Sequence, residues 1–190
     1  MLQTAASGVN SLGQDPKEKA DKPEADPLSA AKAIALRQLS MAAKTRYQLE
    51  QSLTKKGFTP EIIRVSLDRL TEVGLIDDLA YAGMLVRSRC VTKKVSRSVL
   101  RMELRQKGIS DEHIDIALTQ ISDEDEYRMA SELVTKKLRS MRGLEPDVMK
   151  RRLFGLLARK GYHAGVVTRV IREQLKDRDS LADSTLQDFA

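Results

Sequence analysis

The stretch LRQKGIS, Leu104 to Ser110, has the pattern of one helix ending. The chain repeats it as LTKKGFT from Leu53 and as LARKGYH from Leu157. Each copy has leucine, two variable residues, lysine, glycine and a large apolar residue. Gly57, Gly108 and Gly161 are 51 and 53 residues apart. A helix stop accounts for any single copy, but the regular recurrence needs a further reason.

The local chemistry is that of a Schellman cap. Glycine at the first position past the helix takes the left-handed backbone that a Cβ disfavours. Counting back from it, the leucine falls at the third position from the end, and the apolar residue follows the glycine. The pattern therefore predicts contacts of Leu53 with Phe58, Leu104 with Ile109 and Leu157 with Tyr162. Lys56, Lys107 and Lys160 sit at the negative end of the helix dipole.

Working outward, a leucine lies four residues before each capping leucine: Leu49, Leu100 and Leu153. That spacing puts each pair on one helix face. A second apolar face follows each glycine, through Ile63, Leu67 and Leu70, then Ile114, Leu118 and Ile121, then Val167 and Ile171. Thr59 with Pro60, and Ser110 with Asp111 and Glu112, mark the starts of these helices. A third helix precedes each pair, with Ile34, Leu36 and Leu39 over 28–42, Tyr81, Leu85 and Val86 over 79–90, and Tyr127, Leu133, Val134 and Leu138 over 124–141. The cap of the middle one is Asp77 or Asp78. The fold class is therefore all-α: three tandem three-helix repeats at 28–76, 77–122 and 123–176. Units this small, with 4% aromatic residues, bury little surface alone, which predicts stacking into an elongated, curved array. Residues 1–27, with Pro16, Pro23 and Pro27, read as a disordered tail. Residues 177–190 read as an acidic mobile end, with a short terminal helix left open.

Charge is segregated along the 190 residues. Residues 28–110 carry 16 Lys and Arg against 7 acids, 111–126 carry 7 acids and no Lys or Arg, and 127–176 carry 13 bases against 4 acids. The net charge of +6 fits an anionic partner. Cys90 is the sole cysteine and reads as a packing residue. No secretory or membrane-length apolar run is visible, so the reading is a soluble, cytoplasmic protein without a membrane partner.

Motifs for phosphate-loop, zinc-protease and serine-hydrolase chemistry are absent. His113 and His163 read as solvated or capping residues, and Ser122 to Glu126 as an N-cap with dipole-favoured acids. The expectation is a non-enzymatic chain with no cofactor and no metal. What remains is basic surface: Arg87, Arg89, Lys93, Lys94, Arg97, Arg101, Arg105 and Lys107 in one cluster, Lys150, Arg151, Arg152, Arg159 and Lys160 in another. Arg46, Arg97 and Lys150 each lie 11 residues before a repeat glycine, a register that would align positive charge along the array. Either cluster could also be a solvated helix face.

LIDDLAYAGMLVRSR, Leu75 to Arg89, followed by LRQKGIS, resembles the central signature of the RecX regulatory proteins. TRYQLEQSLTKKGF in the first unit and RRLFGLLARKGY in the third are similar to the same family. The resemblance covers about residues 30–175 and implies a function that periodicity does not reveal. It implies a monomeric modulator of the RecA recombinase that binds RecA and the groove of its DNA filament. Such a protein limits filament growth or promotes disassembly, suppressing RecA ATPase, strand exchange and LexA cleavage in DNA repair, recombination and the SOS response. DNA binding is also associated with the family. By motif, Arg87, Arg89, Arg105, Lys107, Arg159 and Lys160 become the leading contact candidates. The long leading tail departs from a minimal member. The alternative from the residues themselves is a stand-alone helical DNA-binding module; a plain scaffold is a third.

Overall fold

The computed structural model describes the backbone of residues 26–187 and the side chains of residues 26–176. Its nine helices are α1 (Pro27–Met41), α2 (Arg46–Lys55), α3 (Pro60–Glu72), α4 (Asp78–Thr92), α5 (Arg97–Gln106), α6 (Asp111–Leu118), α7 (Asp123–Leu138), α8 (Pro146–Arg159) and α9 (Ala164–Gln187). No strand occurs among the described residues. They form three triplets, and in each the first helix packs against the third while the middle helix packs on both.

The sequence explains the local ends. Thr59, Asp77, Ser110 and Ser122 each accept a backbone N–H in the first turn of the following helix. Ser122 and Asp125 complete a capping box. His163 takes the capping role at α9, its Nδ1 accepting the Gly165 N–H at 3.2 Å. Gly57, Gly108 and Gly161 have φ of 86°, 76° and 79°. The Phe58, Ile109 and Tyr162 N–H groups donate to Leu53, Leu104 and Leu157 carbonyls at 3.3, 3.2 and 3.2 Å. The glycine N–H groups reach Thr54, Arg105 and Ala158 at 2.9 Å each. All three endings are thus Schellman caps. A fourth closes α3, where the Leu75 N–H bonds the Leu70 carbonyl past Gly74; the valine before that glycine hid it from a search for lysine.

Three expectations change. Pro27, assigned to the leading tail, is the first residue of α1 because Asp26 caps the helix and proline fits its first turn; the remainder of that tail, through residue 25, lies outside the described residues. Leu36 is exposed, and the α1 face that enters the core is made by Ala31 and Ala35. Small residues there let α1 approach α3 closely. The backbone of α9 continues through residues 177–187, so the terminal helix left open by the sequence is the form taken.

The glycine caps also join the units. Thr45 is fully buried; its hydroxyl caps α2 by accepting the Gln48 N–H at 3.2 Å and donates to the Lys107 carbonyl at 2.7 Å. Its counterpart Ser96 caps α5 and donates to the Gly161 carbonyl at 2.8 Å. The Ser96 N–H adds a bond to the Lys160 carbonyl at 3.1 Å. The next backbone N–H in each case meets a carboxylate of the following unit: Arg46 on Asp78 at 2.9 Å, Arg97 on Glu126 at 2.7 Å. One helix start therefore holds the next unit's helix end, twice.

The two junctions differ in their apolar content. One continuous core runs from Ala82 to Leu175 through the second and third triplets. A separate core, with Leu49, Leu53, Leu67 and Leu70, belongs to the first. Apolar burial is the main cooperative force. Hydrogen exchange should accordingly show 27–76 opening as its own unit, with protection of α4–α9 lost together at higher free energy. A single global opening for all nine helices would contradict the separate cores.

Candidate partner-binding surface

The basic residues singled out in the sequence fall into two physical groups. Most of those in the second unit are engaged within the chain. Arg89 forks onto Glu103, with N–O distances of 2.6 to 3.0 Å and both side chains about a quarter exposed. Arg97 pairs with Asp123 and with buried Glu126 at 3.1 Å. Arg101 reaches Asp115 and Arg105 reaches Asp111, each at 2.7 Å. Lys94, at φ 46°, pairs with Glu132. The acidic run 111–126 thus supplies the counter-charge of Arg97, Arg101 and Arg105.

Arg87 is exposed and donates to the Gln120 side chain at 3.0 Å. Lys93 is exposed, and its carbonyl accepts the Lys160 ammonium at 2.6 Å. Lys107 is half-buried, with its carbonyl held by Thr45. Lys160 therefore belongs to the junction between the second and third units. Tyr162 lies beside it, donating its hydroxyl to the Lys94 carbonyl at 2.9 Å. Burial, followed by the nearby Glu126 charge, pushes its phenol well above the ordinary tyrosine value, so it remains a donor.

The third unit is different. Lys150 meets only Asp147, one turn away at 3.4 Å. Arg151, Arg152 and Arg159 are exposed and form no ion pair among the described residues. The Arg46, Arg97 and Lys150 register does not produce a stripe of equivalent free charge. Arg46 is held by Asp68 at 2.6 Å and Arg97 by two acids, leaving Lys150 as the most exposed of the three.

Sequence reasoning missed the partners of this face. Phe154 is half exposed, while Leu153 and Leu157 beside it are fully buried. A helical wheel carries the signal, since one residue is about 100° round the axis. Arg172 and Lys176 on α9 are exposed next to it. With Ile171 and Leu175 they line an open groove of about 660 Å³ between α8 and α9. Cys90 packs at the edge of the shared core, and burial, followed by Asp125 and Glu126, raises its thiol above the ordinary value. No group of His, Cys, Asp and Glu suited to a metal ion occurs among the described residues.

Three models of one family match this chain in register with its helix triplets. The first three-helix domain of RecX matches residues 31–70, the second 77–118 and the third 123–171. The chain belongs to the RecX family. The regulatory protein RecX of Streptomyces coelicolor is 42% identical over 176 residues, covering 93% of each chain. That of Mycolicibacterium smegmatis is 40% identical over 166 residues, covering 85% of this chain and 84% of its own. The crystal structure of RecX from Lactobacillus salivarius superposes with a TM-score of 0.72 at 25% identity, over 78% of this chain and 97% of that one. Membership agrees with the resemblance of LIDDLAYAGMLVRSR and the three glycine endings, and with the all-α triplet fold.

In RecX terms, part of the signature is structural. Arg89 of VRSR holds α4 to α5 through Glu103, whose carboxyl the Arg89 hydrogen bonds keep below its ordinary value. A depressed folded value stabilises the protein above the ordinary glutamate pKa of about 4.3, and the gain is lost as pH falls through the lower folded value. Glu103→Gln should destabilise at neutral pH by about 1 kcal/mol and show a weaker loss of stability on acidification than the parent. Equal acid sensitivity in thermal melts would remove Glu103 from that role.

Proposed function

We propose that this chain is a non-enzymatic, cytoplasmic regulator that acts as a monomer on the RecA recombinase. It binds RecA and its filament on DNA, limits filament growth or promotes disassembly, and so lowers RecA ATPase, strand exchange and LexA cleavage. The family match across all three triplets carries this reading. The exposed, unpaired cations of the third unit support it, because they leave charge available for an anionic surface. No helix among the described residues is long and apolar enough to cross a membrane.

The test is RecA's DNA-dependent ATPase and its filament length by electron microscopy, with the protein at stoichiometric amounts. Both should fall, and no change in either would end the proposal. Reversing Arg151, Arg152 and Arg159 to glutamate should weaken inhibition at least tenfold. Neutralising Arg101 and Arg105, whose charges already face Asp115 and Asp111, should weaken it less. The same free arginines favour a second reading, direct DNA binding without RecA. It predicts an affinity that falls steeply with salt, with a slope set by the number of phosphates neutralised.

A further inference from the structure

The α8–α9 groove joins an apolar floor to a rim in which the cations outnumber the acids. Its floor is apolar: Ile171 and Leu175 are nearly buried, and Phe154 stands 50% exposed over them. Its rim is mainly cationic, with Lys150 and Arg151 from α8 facing Arg172 and Lys176 from α9, against one carboxylate, Asp147, which pairs with Lys150. Of these four, only Lys150 has an ion pair among the described residues.

A half-exposed phenylalanine costs hydration free energy in the isolated protein, and core packing does not require it, since Leu153 and Leu157 already fill that helix's inner face. Positive charge beside it adds repulsion between the two helices. Both are relieved by one kind of partner. Carboxylates would meet the rim while an apolar side chain fills the space beside Phe154. Nucleic acid relieves only the charge, because phosphates and sugars gain little from an aliphatic floor and a single ring is a poor stacking platform.

We infer that the α8–α9 groove is a docking site for an acidic amphipathic helix of a partner protein. The helix presents leucine or phenylalanine at i, i+3 or i+4 and i+7 to Phe154, Ile171 and Leu175, with glutamate or aspartate along its flanks. This deepens the proposed regulator function by naming the partner element, and rests on it for the partner's identity.

Two labelled peptides of identical composition test it by fluorescence anisotropy: an acidic helix former with that apolar spacing, and a scrambled version without the stripe. Oligonucleotides, single-stranded and duplex, are the comparison probes. The ordered peptide should bind the full-length protein at least tenfold more tightly than the scrambled one. Phe154→Ala should remove most of that preference. Arg151→Glu with Arg172→Glu should weaken binding at least tenfold and flatten its salt dependence. Circular dichroism melts should match the parent, since Phe154, Arg151 and Arg172 are exposed.

Absence of peptide binding, equal binding of the two peptides, or a Phe154→Ala effect confined to oligonucleotides would each overturn the groove assignment. The RecA ATPase assay separates this from the broader reading. Full inhibition by Phe154→Ala would sink the groove and leave the regulator standing. If the parent protein has no effect on RecA, the regulator reading fails, and the peptide comparison still decides the groove.

Discussion

Replacing Gly108 with alanine is expected to destabilise the protein by about 3 kcal/mol, against about 1 kcal/mol for the same change at Gly57. Both glycines have positive φ, so both variants carry the left-handed strain of a Cβ, about 1 kcal/mol. Only Gly108 has a neighbour in the way. A Cβ there would overlap the Tyr47 Cβ and Cγ and lie 2.8 Å from its Cδ1, whereas at Gly57 it meets nothing within 4 Å. These are the near atoms of the tyrosine, so the ring cannot swing clear without moving the backbone of α2. Separating the first two units there would also lengthen the Thr45 bond to Lys107, and overpacking of this kind costs about 1–3 kcal/mol more. Gly161→Ala should resemble Gly108→Ala, because its Cβ would meet Val99 Cγ2 at 2.5 Å and Ser96 Oγ at 2.8 Å. Urea unfolding of the three variants measures the ordering. Equal losses at all three would mean that the caps act locally and do not join the units.

Glu126→Ala is the second large expected effect, about 3 kcal/mol. The carboxylate is 8% exposed and accepts the Arg97 backbone N–H at 2.7 Å and its guanidinium at 3.1 Å. Truncation leaves a helix-start N–H without its partner at the junction and weakens the hold on Arg97, which retains Asp123 and the Ile121 carbonyl. Breaking a buried ionic contact on one side costs about 3–5 kcal/mol, and the partial exposure of Arg97 puts this case at the low end. Glu126→Gln should recover part of the loss, because an amide oxygen still accepts the Arg97 N–H. Thermal unfolding of the two variants tests this; a Glu126→Ala protein as stable as the parent would show that the Glu126 contact contributes nothing to the hold between the second and third units.

These two sites show how one motif serves two levels of structure. Gly57, Gly108 and Gly161 end their helices with the same hydrogen bonds. At the second and third, the ending is also the surface by which a unit seats on its predecessor. An array of small units gains stability chiefly from such neighbour contacts. Among the described residues no unit precedes the first, and a Cβ on its glycine, Gly57, would meet nothing within 4 Å.

By itself the sequence determined the local architecture. Leucine spacing, glycine position and capping hydroxyls act over a few residues, so the helices of the described residues, the three lysine–glycine endings and the threefold grouping follow from hydrogen bonding and apolar period, while the Asp26 start and the Gly74 ending do not. The signature around Leu75 to Arg89 was enough to suggest RecX. Charge was less legible, because its meaning depends on distance in space. Arg97, Arg101 and Arg105 look as available in sequence as Arg151, Arg152 and Arg159. Folding brings the first set against Asp123, Glu126, Asp115 and Asp111 and leaves the second without such acids among the described residues. Likewise the sequence gives no sign that Thr45 and Ser96 do more than start a helix; each hydroxyl reaches a carbonyl of a residue more than 60 positions away only in the folded chain. Only tertiary packing sets such separations, and it turns a repeated helix stop into the joint of the array.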